Sequence, residues 1–361
     1  MTEQGEGTRT FVRSDYVVLG GGAVAVLLAG LARYSDWGRV LPFVLSAIAV
    51  TLLASVVGRS VEQLGDRFGP GATGVLQSAL GNLPELFIAL FALRAGLVDV
   101  VRAALIGSIL ANLLLVLGLA FVVGGLKHGS QKLDSERARA IATLMLVSVV
   151  ALVLPSMAHY VHTPAAQHEK ALSLIVSIVL IVIFVLSLPA SLRRGSTGLS
   201  QDMAHEAPRW PVTLAVGLLT VAAVLAAFVS DWFVTALEPA MDAAHISDAF
   251  AGLVIVAIAG NAIENVVGIQ LAAKNQSEYA FSVVINSPLQ IALVLAPALV
   301  ILSQVLGLTA LTLVFSPLLV VAVTLSVIIT VVITVDGESN WLEGAALIGV
   351  YAVIATTFWW G

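Results

Sequence analysis

The chain contains no cysteine, which removes disulfide bonds, thiolate nucleophiles and thiolate metal sites, and with them any clue to redox compartment. Charge is scarce too: only 11% of residues are Asp, Glu, Lys or Arg, against about 25% in a soluble globular domain. With 59% hydrophobic residues and a mean hydropathy of +1.02 over 361 residues, that deficit excludes a water-soluble protein. Segments of about 10 residues with alternating hydropathy, the mark of a transmembrane barrel, are also missing. The apolar runs are uninterrupted and about 20 residues long, as helices crossing a hydrocarbon core of about 30 Å require. The fold class expected is an all-α polytopic membrane protein. The net charge of −5 says little about partners, because most of the surface faces lipid. The N-terminal stretch "MTEQGEGTRTFVRSDY" lacks the basic region and short apolar core of a signal peptide; residues 1–14 read as a cytoplasmic tail.

Apolar segments fall at about 15–33, 39–58, 69–93, 98–126, 138–158, 170–190, 210–230, 247–273, 279–304, 308–334 and 341–361, giving eleven candidate helices. No soluble domain fits between them. The longest polar stretch, 191–209, reads as a cytoplasmic linker between halves. Placing the N-terminus in the cytoplasm puts twelve Lys and Arg inside, from Arg9 to Lys274, and five outside (Arg33, Arg39, Arg94, Arg102 and Lys170). The excess of positive charge inside predicts N-in, C-out, with the acidic 231–247 stretch (Asp231, Glu238, Asp242) as an outside loop. The expected location is the plasma (inner) membrane.

Two short stretches break the apolar pattern in the same way. "GNLPE" (81–85) and "GNAIE" (260–264) lie 179 positions apart. The same shift carries Gly81, Asn82 and Glu85 onto Gly260, Asn261 and Glu264, Ser108 onto Ser287, and Asp99 onto Glu278. The chain therefore reads as an extra helix (15–33) followed by two five-helix repeats, 39–190 and 210–361, joined by the 191–209 linker. Five is odd, so the two units cross the membrane in opposite senses, the inverted-repeat plan of secondary transporters.

The motif chemistry points to a cation. An ionised carboxylate at the bilayer centre costs about 2.5–3.5 kcal/mol on insertion scales and persists only with a partner. No Lys or Arg lies at the depth of Glu85 or Glu264, which leaves a proton or a cation. Pro84 lacks an N–H, and Gly81 and Gly260 ease the opening of a turn, freeing carbonyl oxygens where backbone lines a cavity. Asn82 and Asn261 stand three residues before the glutamates, on the same helix face. Two carboxylates, amide oxygens and carbonyls form an all-oxygen site of the kind Ca2+ prefers; without histidine or thiolate, zinc and copper are disfavoured. Ser108, Asn112, Ser287 and Gln290, from "GSILANLLLVLG" and "NSPLQIALVLAP", can complete the shell, though single polar residues in membrane helices also serve as packing glue. Asp99 and Glu278 begin helices, where the helix dipole suffices to explain them. His159, His162 and His168 belong to an outside loop, and Glu62 and Asp66 to an interfacial one.

The stretches "GNLPELFIALFALRAGLVDVVRAALIGSILANLLLVLG" and "AGNAIENVVGIQLAAKNQSEYAFSVVINSPLQIALVLAP" resemble the two signature repeats of the cation/proton exchanger family, within the calcium/cation antiporter superfamily. The resemblance implies exchange of Ca2+ for H+, with Glu85 and Glu264 as cation ligands and proton carriers and Ser108, Asn112, Ser287 and Gln290 as their support. It departs from the family at Asn265, where a histidine is usual, and at Asn286, where a glycine is usual, with Pro288 following; the acidic segment between halves is reduced to Asp202 and Glu206. The partners expected are Ca2+ and H+ as substrates, the lipid bilayer and a second copy of the chain in a homo-oligomer; no cofactor, nucleic acid or enzymatic activity is expected. The alternatives are a Na+/Ca2+ exchanger of the same superfamily, which carries further carboxylates in the helix after each motif, and a cation channel, which needs a continuous polar path. An intramembrane hydrolase lacks its nucleophile–base pair.

Overall fold

The computed structural model describes residues 10–35, 37–68, 80–195 and 209–360, without the side chains of 66–68, 189–195 and 262–265. Among the described residues the chain is helical almost throughout. The helices are α1 (Arg13–Tyr34), α2 (Leu41–Phe68), α3 (Leu83–Arg94), α4 (Val98–His128), α5 (Ser135–Tyr160), α6 (Glu169–Gly195) and α7 (Val212–Ala244). They continue with α8 (248–273), α9 (Ser277–Val305), α10 (Pro317–Thr334) and α11 (Trp341–Trp359). Among the described residues nine of these are long and apolar enough to cross a membrane, or ten if the two parts of α8, Asp248–Asn261 and Val266–Ala273, bent by 61°, count as one span. The third sequence segment, 69–93, enters the described residues only at its end, as the 12-residue α3. Most of the linker, 196–208, and nearly all of the N-terminal tail lie outside the described residues.

Two boundaries differ from the sequence reading. α7 runs 33 residues to Ala244, about 50 Å at 1.5 Å per residue, so most of the expected 231–247 loop is helix. Asp231, Glu238 and Asp242 recur there at helical spacing, and Glu238 and Asp242 are exposed, as suits an end projecting beyond the core. The second is the expected 308–334 helix, which begins only at Pro317, with Ser316 accepting from Leu319 N. The preceding residues are irregular yet buried: Leu311, Leu313 and Phe315 are at most 1% exposed. Non-helical backbone in such surroundings needs internal hydrogen-bond partners, and three serines supply them. Ser303 Oγ accepts from Leu311 N at 3.0 Å, Ser173 Oγ from Leu313 N at 2.9 Å and Ser156 Oγ from Phe315 N at 2.9 Å. Ser156 Oγ also donates to Leu313 O, and Arg102 donates to both the carbonyl and the hydroxyl of Thr312.

The chain packs as two compact units, Met1–Ile88 with Val185–Leu237, and Ala89–Phe184 with Glu238–Gly361. In the first, α1 lies along α2, and Trp210, 1% exposed, packs with Leu64 and Ala215. Gln63 Oε1 accepts from both Arg209 N (2.7 Å) and Trp210 N (3.0 Å), tying the start of the second half to α2. Asp15, 2% exposed, pairs with Arg59 at 2.5 Å and with Arg209 at 3.5 Å.

The second unit is built on α4 and α9, the most deeply buried spans. Its α4 and α8 touch backbone to backbone. A Cβ on Gly107 would stand 2.2 Å from Leu253 O, and one on Gly252 2.4 Å from Val100 O, so only glycine fits at this crossing. The 179-residue offset seen in the motifs recurs here in the backbone. α3 ends at Arg94 and α8 at Ala273; α4 begins at Val98 and α9 at Ser277. Gly96 (φ 85°) and Asn275 (φ 61°) make the same left-handed turn between them, closed by Leu97 N donating to Ala92 O and Gln276 N to Leu271 O. α4 and α9 also loosen to π-helical hydrogen bonding at matching places, Ala111–Val116 and Ile291–Leu295.

Candidate ion-binding site

Four of the residues singled out in the sequence meet in the second unit. Asn112 stands in the π-helical turn of α4, Ser108 one turn before it, Ser287 on α9 and Asn261 on α8. All are buried: Asn112 and Asn261 at 0%, Ser287 at 3% and Ser108 at 5% exposure. π-Helical turns recur at functional sites in helical proteins, and the close α4–α8 crossing at Gly107 puts Ser108 within reach of Asn261.

The hydrogen bonds fix both amides. Asn261 Nδ2 donates to Ala257 O (3.0 Å) and to Ser108 Oγ (2.9 Å). Asn112 Nδ2 donates to Ser108 O (2.9 Å) and reaches Asn261 Oδ1 (3.2 Å) and Ser287 Oγ (3.3 Å). Ser287 Oγ in turn donates to Asn261 Oδ1 at 3.1 Å. Because backbone carbonyls only accept, each asparagine must turn its nitrogen toward its own helix. Asn112 Oδ1 is then directed away from that carbonyl. It is buried and accepts no hydrogen bond among the described residues. A buried amide oxygen without a donor is uncommon and is suited to an electropositive partner.

The first motif makes a different local structure. Gly81 and Asn82 form a turn, and α3 starts at Leu83. Pro84 therefore falls in the first turn, where its missing N–H breaks no helical bond. Leu86 N donates to Asn82 O at 2.9 Å. Glu85, half-buried, lies in that same first turn, where the helix N-terminus favours negative charge. The second motif stays helical: Gly260 and Asn261 lie just ahead of the bend in α8. Glu264 lies within α8, and its side chain is outside the described residues. Gln290 is one turn beyond Ser287 and half-buried.

Residues read as local in the sequence also have partners. Asp99 pairs with Arg102 at 3.0 Å. Glu278 does more than begin a helix: it accepts from Asp134 N at 2.7 Å and stands 3.7 Å from Arg137. His159 pairs with Glu169, and among the described residues no three His, Cys, Asp or Glu side chains cluster as a metal site would need. Asn286, noted in the sequence only as a departure, is exposed in the middle of α9; a carboxamide so deep in an apolar span was the signal available.

A membrane chain helical almost throughout, with an internal repeat and buried polar oxygens on its crossing helices, has the architecture of a secondary transporter. The sodium/calcium exchanger protein family matches residues 39–192 and 214–360, and the chain belongs to that family. It is 35% identical over 345 residues to a Ca2+/H+ antiporter of Aphanothece halophytica, covering 91% of this chain and 92% of the relative. It is 36% identical over 342 residues to the Ca2+/H+ antiporter ChaA of Bacillus subtilis strain 168, covering 93% and 97%. The solved structure of native YfkE superposes with a TM-score of 0.81 at 33% identity, covering 95% of this chain and 99% of that one. These relatives are transporters, not enzymes.

Proposed function

We propose that the chain is a secondary active antiporter exchanging Ca2+ for H+ by alternating access, with Glu85 and Glu264 as the groups that take either cation or protons. The observation that carries the chemistry is the buried Ser108–Asn112–Asn261–Ser287 network, whose amide oxygen on Asn112 accepts no hydrogen bond among the described residues. The network supplies neutral oxygens and no positive charge, as a cation site requires. The relatives named Ca2+/H+ antiporters support the choice of ions. Two glutamates balance a divalent cation when ionised and are neutral when protonated. The empty, ionised pair is the disfavoured species in a low dielectric, so reorientation requires a bound ion, and exchange results instead of leak.

The same reading takes the chain as an extra helix followed by two inverted five-helix repeats, N-terminus inside and C-terminus outside, in the plasma membrane. It is supported by the loop charges, the 179-residue offset and the matching turns at Gly96 and Asn275. Reconstituted protein under an imposed pH gradient, without Na+, should accumulate 45Ca2+. Uptake that follows a Na+ gradient and ignores pH would replace this reading with Na+/Ca2+ exchange.

A further inference from the structure

Two spans that present aliphatic side chains outward share a pattern. On α6 the exposed side chains include Ile175, Ile178, Val179, Val182 and Leu186, while Ser173 and Ser177 are buried. On α10 the exposed residues are Leu318, Val321, Leu325, Ile328 and Val332, while Ser326, Thr330 and Thr334 are buried. On these two spans the named hydroxyls point in and the named aliphatic groups point out, as suits hydrocarbon.

α9 reverses that pattern. Asn286 is exposed, although its neighbours Ile285 and Ser287 are each 3% exposed. It lies nine residues beyond Ser277, about 13 Å along the helix axis. Its accessible neighbour one turn deeper is Gln290, also a carboxamide. One turn back, Ser282 Oγ lies 3.4 Å from Asn286 Nδ2 and accepts from Arg137, which also approaches Glu278 at the start of the helix. Polar groups thus recur at 278, 282, 286 and 290, from the end of α9 to the turn beside the Ser287 network. The repeat-related helix α4 keeps only the first of these, Asp99, paired with Arg102. The positions 179 earlier than Ser282, Asn286 and Gln290 are Ala103 (1% exposed), Gly107, packed on Leu253 O, and Ala111 (0% exposed). Ser282 takes one hydrogen bond from Asn286 and leaves the rest of the exposed carboxamide to its surroundings, where acyl chains disfavour it and water does not.

We propose that the α9 face bearing Glu278, Asn286 and Gln290 lines the water-filled passage by which a hydrated divalent cation and protons reach the buried network from the Ser277 end. Arg137, held on Ser282, offsets the Glu278 carboxylate at the mouth, so the passage offers a cation no strong trap before the central site. The proposal takes from the antiport reading only that the network is the ion site.

The absence of cysteine makes the test direct. Single cysteines are placed at Asn286, at Gln290, at Ala103 as the repeat-related control and at Val182 as the lipid-facing control, in the full chain in proteoliposomes. Only a hydrated thiol ionises to the reactive thiolate, so a charged, membrane-impermeant methanethiosulfonate should modify Asn286→Cys at least about tenfold faster than Ala103→Cys or Val182→Cys. It should do so from the same side as Lys274→Cys, a marker for that end, and Gln290→Cys should react from that side as well. Asn286→Cys reacting only with a lipid-soluble maleimide would place it against lipid and overturn the proposal. Failure to react with either reagent, in protein that elutes as a folded species, would mean it is covered by protein and would overturn it equally. Because labelling needs no transport, a chain that labels as expected and exchanges no Ca2+ keeps the passage and loses the antiport reading.

Discussion

Asn112 and Asn261, 149 residues apart in the chain, share a hydrogen bond at the centre of the second unit, with Asn112 Nδ2 donating to Asn261 Oδ1 at 3.2 Å. Each amide is also anchored to a carbonyl of its own helix, Ser108 O and Ala257 O. Neither can flip without losing that bond, so the orientation of Asn112 Oδ1 is set by the fold and not by its ligand.

Replacing Asn112 with Leu should therefore have two separable effects. Loss of the buried amide bonds should lower stability by about 1–3 kcal/mol, read as a lower melting temperature in detergent. Ca2+ affinity should fall as well, measured by titration calorimetry. A destabilised variant with unchanged Ca2+ affinity would make Asn112 a packing residue.

The glutamates should behave in the opposite way. Glu85→Gln and Glu264→Gln keep size and remove ionisation, so each should abolish proton-coupled Ca2+ flux while remaining folded. Stability is expected to hold or rise by about 1 kcal/mol, since a neutral amide avoids part of the penalty for a charge in the bilayer. Near-normal exchange by either variant in a flux assay would remove that glutamate from the mechanism.

Much of this was visible in the sequence, because polar residues in apolar runs stand out. Asn261, Ser108, Asn112 and Ser287 are legible that way, and the 179-residue shift pairs Asn261 with Asn82 and Ser287 with Ser108. Other features carried no such contrast. Residues 308–316 are as apolar as a helix; what keeps them irregular is Ser156 and Ser173, well over a hundred positions away. The acidic residues of α7 suggested a loop, since helical spacing and solvent exposure give the same composition. Asn286 was readable as an oddity but not as a surface, because exposure depends on which neighbours pack beside α9.

Asp15 offers a test in the first unit. Its carboxylate is 2% exposed and is shared by Arg59 and Arg209, which are 32% and 21% exposed. Asp15→Asn removes the buried charge that the two guanidinium groups share. A fully buried pair broken in this way loses about 3–5 kcal/mol; with both arginines partly in water, about 1–3 kcal/mol is expected. Thermal melts of the variant against the parent should show the loss, and an unchanged melting curve would mean that the ion pair contributes no net stability.

Topology can be checked through the linker. With the N-terminus inside, a single cysteine placed anywhere in 191–209 should be modified by an impermeant thiol reagent only from the cytoplasmic side, in inverted vesicles but not in intact cells. Modification in intact cells would change the parity of one repeat and defeat the inverted arrangement.

The pH dependence of Ca2+ binding is the most direct test of shared carboxylates. On the proposed mechanism Ca2+ binds the ionised forms of Glu85 and Glu264 and protons bind the same oxygens, so cation binding must release protons. The sign follows: apparent Ca2+ affinity should fall as pH falls, steeply where the pair gains protons, and should level off once both groups are ionised. Two carboxylates that share one ion titrate together, so the midpoint of the curve would belong to the pair and not to either residue. Glu85→Gln or Glu264→Gln should bind Ca2+ weakly and with a shallower pH dependence, because one proton-binding group has gone. Asn112→Leu should lower the affinity at every pH and leave the steepness unchanged, since an amide oxygen does not titrate. The measurement is equilibrium 45Ca2+ binding to purified protein from pH 6 to 9 for the parent and the three variants. A parent curve that is flat over that range would remove proton competition from the mechanism, whatever the transport assays show.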